Sequence, residues 1–225
     1  MANDLNEIMA RMSISVDQSV TPPTAGGSEW NLRLKFINRA YNEWNNAYDW
    51  AATIKTTFLT ITGVSQASIS LPADFRKMSG FPLYYSGGVS EGEEFPEIMP
   101  NEIKRYSSTD DYYYILGNSQ GGYTMIWNPG TMASGASLYI QYYSTPTALA
   151  SPADMPVLSD IDFLADRATA YVLEVRSDAR FQEIETKARE KLLQMLDNEN
   201  NKSVAYRNRI ETESKLYQNF RIGKD

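Results

Sequence analysis

Residues 30–63 read WNLRLKFINRAYNEWNNAYDWAATIKTTFLTITG. Two periods meet inside this stretch. Trp30, Leu34, Ile37, Tyr41, Trp44 and Tyr48 recur at spacings of four and three, the apolar stripe of an amphipathic helix of about five turns. From Ala51 the stripe stops. The segment TIKTTFLTITG, 53–63, is rich in β-branched residues and ends at Gly63, which predicts a strand closed by a turn. A helix that hands over to strands places a helical part and a β part in one chain. Ser28 stands where an N-cap is needed.

Toward the N-terminus, Asn3 is positioned to cap a first helix running to about Met12, with Leu5, Ile8, Met9 and Met12 on one face. Residues 13–27, SISVDQSVTPPTAGG, contain Pro22-Pro23 and Gly26-Gly27. Those pairs forbid regular helix there and predict a linker.

Toward the C-terminus the β pattern continues. ASISLP (67–72) and FPLYYSGG (81–88) read as short strands, and ADFRKMSG (73–80) between them as a turn or short helix. An acidic loop, with Glu91, Glu93, Glu94 and Glu97, precedes a short helix entered at Pro100. DYYYILGN (111–118), GYTMIWNPG (122–130) and SLYIQYYST (137–145) follow as three strands. Hairpin turns are predicted near Ser119–Gly122 and near Asn128-Pro129-Gly130, where Gly and Asn can supply positive φ.

Helix then returns. Ser159 or Asp160 caps a segment with Ile161, Leu164, Ala168, Tyr171, Val172 and Val175 facing inward. Ser177-Asp178 kinks or restarts it, and a last helix carries Phe181, Ile184, Ala188, Leu192, Met195 and Leu196. The polar run Asn198–Ser203 is read as the end of the packed body. The remainder bears Tyr206, Ile210, Leu216, Tyr217, Phe220 and Ile222 beside Arg207, Arg209 and Arg221. A terminal segment frays unless tied down, so these side chains predict an arm that orders against another molecule.

The resulting class is α+β: a bundle of N- and C-terminal helices, an inserted antiparallel β module, and an extended C-terminal arm. The expected divisions are 1–50, 51–147, 148–198 and 199–225.

Composition limits the chemistry. The 225 residues include no Cys and no His, so disulfides, thiol nucleophiles and Cys/His zinc sites are excluded, as is the usual near-neutral general base. Net charge is -7, unfavourable for gripping phosphates. No apolar run reaches the about 20 residues of a membrane span. The N-terminus lacks the apolar core of a signal peptide.

Neither Walker loop nor G-x-S-x-G elbow occurs. The cluster Glu91, Glu93, Glu94 and Glu97 lacks the alternating Asp/Asn pattern of a calcium loop. Asp110 and Asp111 precede Tyr112, Tyr113 and Tyr114, a pairing found at sugar sites, but adjacent strand residues point to opposite faces. An enzyme is therefore not expected, nor any cofactor or metal. Tyr112, Tyr114, Tyr123 and Tyr142 remain as a candidate binding surface on the β module.

Three pieces carry a family resemblance. They are helix two with its aromatic ending, WNLRLKFINRAYNEWNNAYDW; SLPADF at 70–75; and YYSTPTALASPADMPVL, a strand leaving through a Pro-rich entry into the last helices. In this layout residues 28–197 resemble the head-to-tail adaptor (connector) proteins of tailed bacteriophages, including the tail tubular protein A type. The resemblance implies a virion protein of the neck, made in the host cytoplasm and assembled as a ring, usually of twelve copies. It implies a portal partner for the C-terminal segment and a tail or nozzle partner for the β module. It also implies double-stranded DNA passing through the lumen without sequence-specific binding. The portal-docking residues would be Tyr206, Arg207, Arg209, Ile210, Leu216, Tyr217, Phe220, Arg221 and Ile222. The competing expectations are a glycan- or protein-binding tail component built on the β module, and a neighbouring neck or tail-completion protein.

Overall fold

The structure is a computed structural model. It describes residues 3–221 apart from 64–65, 86–92, 95, 108–109, 129–133 and 159, with the backbone alone at 84–85, 93–94 and 202–221. The chain forms two compact units, residues 1–48 with 148–225, and residues 49–147.

The first unit holds four α-helices: α1 (Leu5–Asp17), α2 (Ser28–Ala47), α3 (Ile161–Val175) and α4 (Phe181–Arg221). Helix α3 is the centre, with α1, α2 and α4 packed on it. Its sequence explains the position, since ten of its residues, Phe163, Leu164 and Leu173 among them, are buried. A helix apolar on most sides must be covered on most sides. Helix α1 is too short to be stable alone in water. It is held by Leu5, Ile8, Met9 and Met12, each fully buried. Burying each is worth about 1.5–3 kcal/mol. The α2 stripe behaves as its spacing predicts: Trp30, Ile37, Tyr41 and Trp44 are buried, while Leu34 and Tyr48 are half-buried.

Several boundaries differ from the sequence reading. Helix α1 is capped by Asp4, whose carboxylate accepts from Glu7 N–H, and it runs on to Asp17. Two further orphan N–H groups, of Leu5 and Asn6, donate to Asp154 O (2.8 Å) and Pro152 O (3.0 Å) of the Pro-rich loop. A loop distant in sequence thus completes the cap. Helix α2 begins at Ser28 itself, behind Gly27, with no side-chain cap. Asp160 caps α3 by accepting from Asp162 N–H. The chain breaks after Val175, where Ser177 takes positive φ, and restarts at Phe181.

Helix α4 carries the largest difference. The run Asn198–Ser203 does not end it; helical backbone continues to Arg221. Between Phe181 and Ile222 there is neither Gly nor Pro. Asn and Ser each cost only tenths of a kcal/mol in a helix, too little to break one.

The second unit is two small antiparallel sheets. One has the order β1 (Ile54–Thr60), β8 (Ser137–Ser144), β4 (Leu83–Tyr85), β5 (Glu93–Glu94), with β3 (Phe75–Met78) also paired to β8. The other is β2 (Ser68–Ser70), β7 (Gly122–Trp127), β6 (Tyr113–Asn118). Their inner faces meet in one core of Leu138, Ile140 and Tyr142 from β8 with Tyr113, Met125 and Trp127 from β6 and β7. The segment 73–80, read as a turn or short helix, opens on a turn at Ala73-Asp74 but continues as strand β3. Residues Pro100–Arg105 form a 3-10 helix. The β6–β7 hairpin closes through Asn118 and Gly122, as the Gly-rich turn predicts. The second expected hairpin does not form, because β7 and β8 lie in different sheets.

Candidate functional site: the C-terminal overhang of helix α4

Antiparallel pairing of α3 and α4 is fixed by charge. Arg167 bonds Glu43 Oε2 (2.9 Å) and Glu185 Oε1 (3.3 Å), and Lys191 bonds Asp166 Oδ2 at 2.7 Å. Position 185 therefore lies near 167, and 191 near the start of α3. Between them Ala188 is fully buried, where a larger residue would separate the helices. The Tyr171 hydroxyl donates to Glu43 at 2.5 Å, and Arg39 sits over the Tyr171 ring at 4.1 Å. Burial alone would raise the Glu43 carboxyl. Hydrogen bonds from Arg167 and Tyr171 outweigh it and hold the group below its ordinary value.

This pairing has a geometric consequence. Helix α3 has 15 residues and α4 has 41. At 1.5 Å per residue α3 spans about 22 Å and α4 about 61 Å. Helix α3 runs out near Met195. Just past α2, at its C-cap, Tyr48 Oη donates to Asn200 Oδ1 at 2.9 Å. From Asn201 to Arg221 a further 30 Å or so of helix has no counterpart in α3.

All but one of the sequence-predicted docking residues lie on that overhang: Tyr206, Arg207, Arg209, Ile210, Leu216, Tyr217, Phe220 and Arg221 fall inside α4. Ile222 lies outside the described residues. Helical backbone puts positions 206, 210 and 217 at spacings of four and seven, one side of a helix. The overhang is also basic, with Lys202, Arg207, Arg209, Lys215 and Arg221 against Glu211 and Glu213, in a chain of net charge -7.

The opposite end of the bundle, by contrast, is closed by an ion-pair cluster that sequence reasoning missed. Arg33, 1% exposed, reaches Ser13 Oγ at 2.8 Å, Glu29 at 2.8 Å, and Asp17. Arg176 bonds the same two carboxylates at 3.2 and 2.9 Å. Burial would raise Asp17, but Arg33 and Arg176 hold it low. The cluster ties α1, α2 and α3 together and leaves no open reactive group. The signal was present in the sequence: Glu29 and Arg33 stand four apart at the start of a helix.

The four tyrosines of the β module do not form one surface within it. Tyr142 is buried and donates to Asp74 Oδ1 at 3.0 Å. Tyr112 is buried, its ring 5.3 Å from that of Tyr106. Tyr123 faces the core against Phe75 at 5.3 Å. Tyr114 is half-buried on the other face of its sheet. Of the carboxylates, Asp110 accepts from Ser107 N–H at 2.7 Å, and Glu97 from the Tyr113 hydroxyl at 3.2 Å. Glu91 lies outside the described residues. Among the described residues no group of His, Cys, Asp or Glu could hold a metal ion, and no helix is long and apolar enough to cross a membrane.

The model of a family described as SU10 adaptor protein matches residues 3–213. No curated protein matches the chain.

Proposed function

Because this chain belongs to the SU10 adaptor protein family, a structural adaptor of the phage head-to-tail junction, we propose that it forms a ring between capsid portal and tail, with the α4 overhang as its portal-docking arm. The observation that carries this reading is the mismatch between α3 and α4. A helix that outruns its partner by over twenty residues needs another surface for its apolar positions.

A docking helix of this kind gives up ordering entropy when it binds but can reach a large partner surface. Arms displayed together on a ring act at high effective concentration, so weak single contacts add to firm attachment. Twelve copies are the ring size the resemblance suggests. Assembly would then be templated by the portal. The overall acidity of the chain suits a lumen along which DNA slides without sticking. The β module would face the tail or nozzle. A glycan-binding reading is less well supported, since Tyr112 and Tyr142 are committed to the module's own packing.

Electron microscopy of the purified chain mixed with its portal tests the reading. Rings coaxial with the portal are expected. Portals that stay bare at saturating chain concentration would overturn it.

A further inference from the structure

We propose that neighbouring copies of this chain meet through α2 and α4, with the outward stripe Leu32, Lys35 and Arg39 of one copy lying against the outward stripe Glu190, Leu193 and Asp197 of the next. The inference rests on the ring reading, and it names the surfaces through which the copies touch.

Among the described residues of the helical unit, every Lys and Arg bonds a carboxylate except Lys35 and Arg39. Those two stand one turn apart on the exposed side of α2. Arg39 is held over the Tyr171 ring and adds to the field on Glu43, but the Glu43 carboxylate takes its hydrogen bonds from Arg167 and Tyr171. Leu32, 38% exposed, lies on the same side of the helix, as do the exposed Asn42 and Asn46. Both acids of α2 are taken by arginines, Glu29 by Arg33 and Arg176 and Glu43 by Arg167.

Helix α4 presents the complement. Ile184, Ala188, Leu192 and Met195 form its covered side. Glu190, Leu193 and Asp197 recur at spacings of three and four on the opposite side, and all three are exposed. Leu193 is 60% exposed, a large apolar side chain set between two acids. Neither Glu190 nor Asp197 bonds a described cation, whereas Glu183 and Glu185 on the same helix are paired with Lys187 and Arg189.

Charge selects the occupant. Helices α2 and α4 each pack on α3, so the sides they turn away from α3 face different ways. A contact that joins two unlike surfaces head to tail can close into a ring. Glu43 lies at Arg167 and Glu29 at Arg176, so α2 runs antiparallel to α3, as α4 does, and parallel to α4. Copies in a many-membered ring turn little from one to the next, which sets α2 nearly parallel to the neighbour's α4. In that setting Lys35 stands opposite Glu190, Asn42 opposite Asp197, and Arg39 reaches between the two carboxylates beside Leu193. Within one copy Glu185 is level with Glu43 through Arg167, so this register requires the helices to slant against the ring axis. Exposed ion pairs alone add little; Leu32 and Leu193 supply apolar area, and the charges decide which faces meet. Two cations in a chain of net charge -7 are a poor footprint for DNA.

The test is sedimentation velocity on the full chain up to millimolar concentration at low salt. Four proteins are compared: wild type, Lys35→Glu, Glu190→Lys, and the double variant Lys35→Glu/Glu190→Lys, whose net charge equals that of wild type. Both positions are exposed and bond no described group of their own chain, and an unchanged circular dichroism melt checks that the variants fold. Wild type should self-associate. Each single reversal should weaken association by at least about fivefold, and the double variant should restore it to within about twofold of wild type. Association of Glu190→Lys at the wild-type level would overturn the proposal, as would a double variant no better than the single ones or a wild type that stays monomeric throughout. A duplex oligonucleotide held by wild type and released by Lys35→Glu, with self-association unchanged, would overturn it in favour of DNA. Rings built on the portal by Glu190→Lys as readily as by wild type would leave the ring reading standing and reject these two faces.

Discussion

Tyr48 hydrogen-bonds Asn200 across 152 positions of sequence, Oη to Oδ1 at 2.9 Å. The contact marks the point at which α4 passes the end of α2. It separates two kinds of helix: a stretch whose Ile184, Ala188, Leu192 and Met195 are wholly or partly covered, and a stretch that α3 is too short to reach.

Arg33 is the buried charge most tightly bound by neighbours. Replacing it with Ala leaves Asp17 and Glu29 facing each other without their buried cation. A broken buried pair costs about 3–5 kcal/mol. Arg176 stays in place and the carboxylates are 38% exposed, which argues for about 2–3 kcal/mol here. Urea unfolding of Arg33→Ala should show a midpoint lowered to match. Arg33→Met, which keeps the packed stem, should lose less.

Gly117 and Gly121 should respond in opposite ways to alanine. Gly117 has φ +123, and a Cβ there would lie 2.1 Å from Gly122 O. The clash is with backbone, so the β6–β7 hairpin must shift. Gly117→Ala should lower stability by more than about 2 kcal/mol. At Gly121 the nearest atom to an added Cβ is Asn118 Oδ1 at 3.5 Å, and φ is not positive. Gly121→Ala should stay within about 0.5 kcal/mol of wild type. Thermal melts of the two variants give the comparison.

Tyr142 should be silent in a tyrosinate titration until strongly alkaline pH. Burial and its bond to Asp74 push the phenol up to about 12. Tyr142→Phe should remove one late-titrating group from the absorbance curve. It should cost about 1 kcal/mol, the worth of one hydrogen bond. A curve unchanged by the substitution would contradict the placement.

Acid should weaken the helical unit. Glu43 and Asp17 both have folded-state carboxyls held below their ordinary values of 4.5 and 3.8. A depressed carboxyl contributes stability above its unfolded value, and that contribution is lost as pH falls through the folded value. The urea midpoint should therefore hold from neutral pH down to about pH 5 and fall below it. Glu43→Gln should flatten part of that fall.

What could be read from sequence was what is local. The stripe from Trp30 to Trp44 followed from spacing, SLYIQYYST read as a strand, and with them came the α+β class. The misses share a cause. Strand β3 holds Arg76 and Lys77, which look like turn residues until Asp49 neutralises both, at 2.9 and 2.6 Å. Asn128-Pro129-Gly130 carries a turn signal in sequence, but a turn signal does not say which strands pair, and Pro129 and Gly130 lie outside the described residues. The cap on α1 comes from Pro152 and Asp154, which spacing could not reveal. The run Asn198–Ser203 is polar, but polarity does not end a helix, and nothing in the run stops one. On the overhang, the helical state was not legible, because polarity was weighed where Gly and Pro decide.

The overhang is tested most directly by removing it. A chain ending at Ser203 keeps the Tyr48–Asn200 contact and every described side chain of the body. Its binding to portal-bearing capsids is measured by co-sedimentation beside the full chain. The account predicts a body with an unchanged thermal melt and binding reduced to background. Capsid binding by the shortened chain at the full-length level would contradict it.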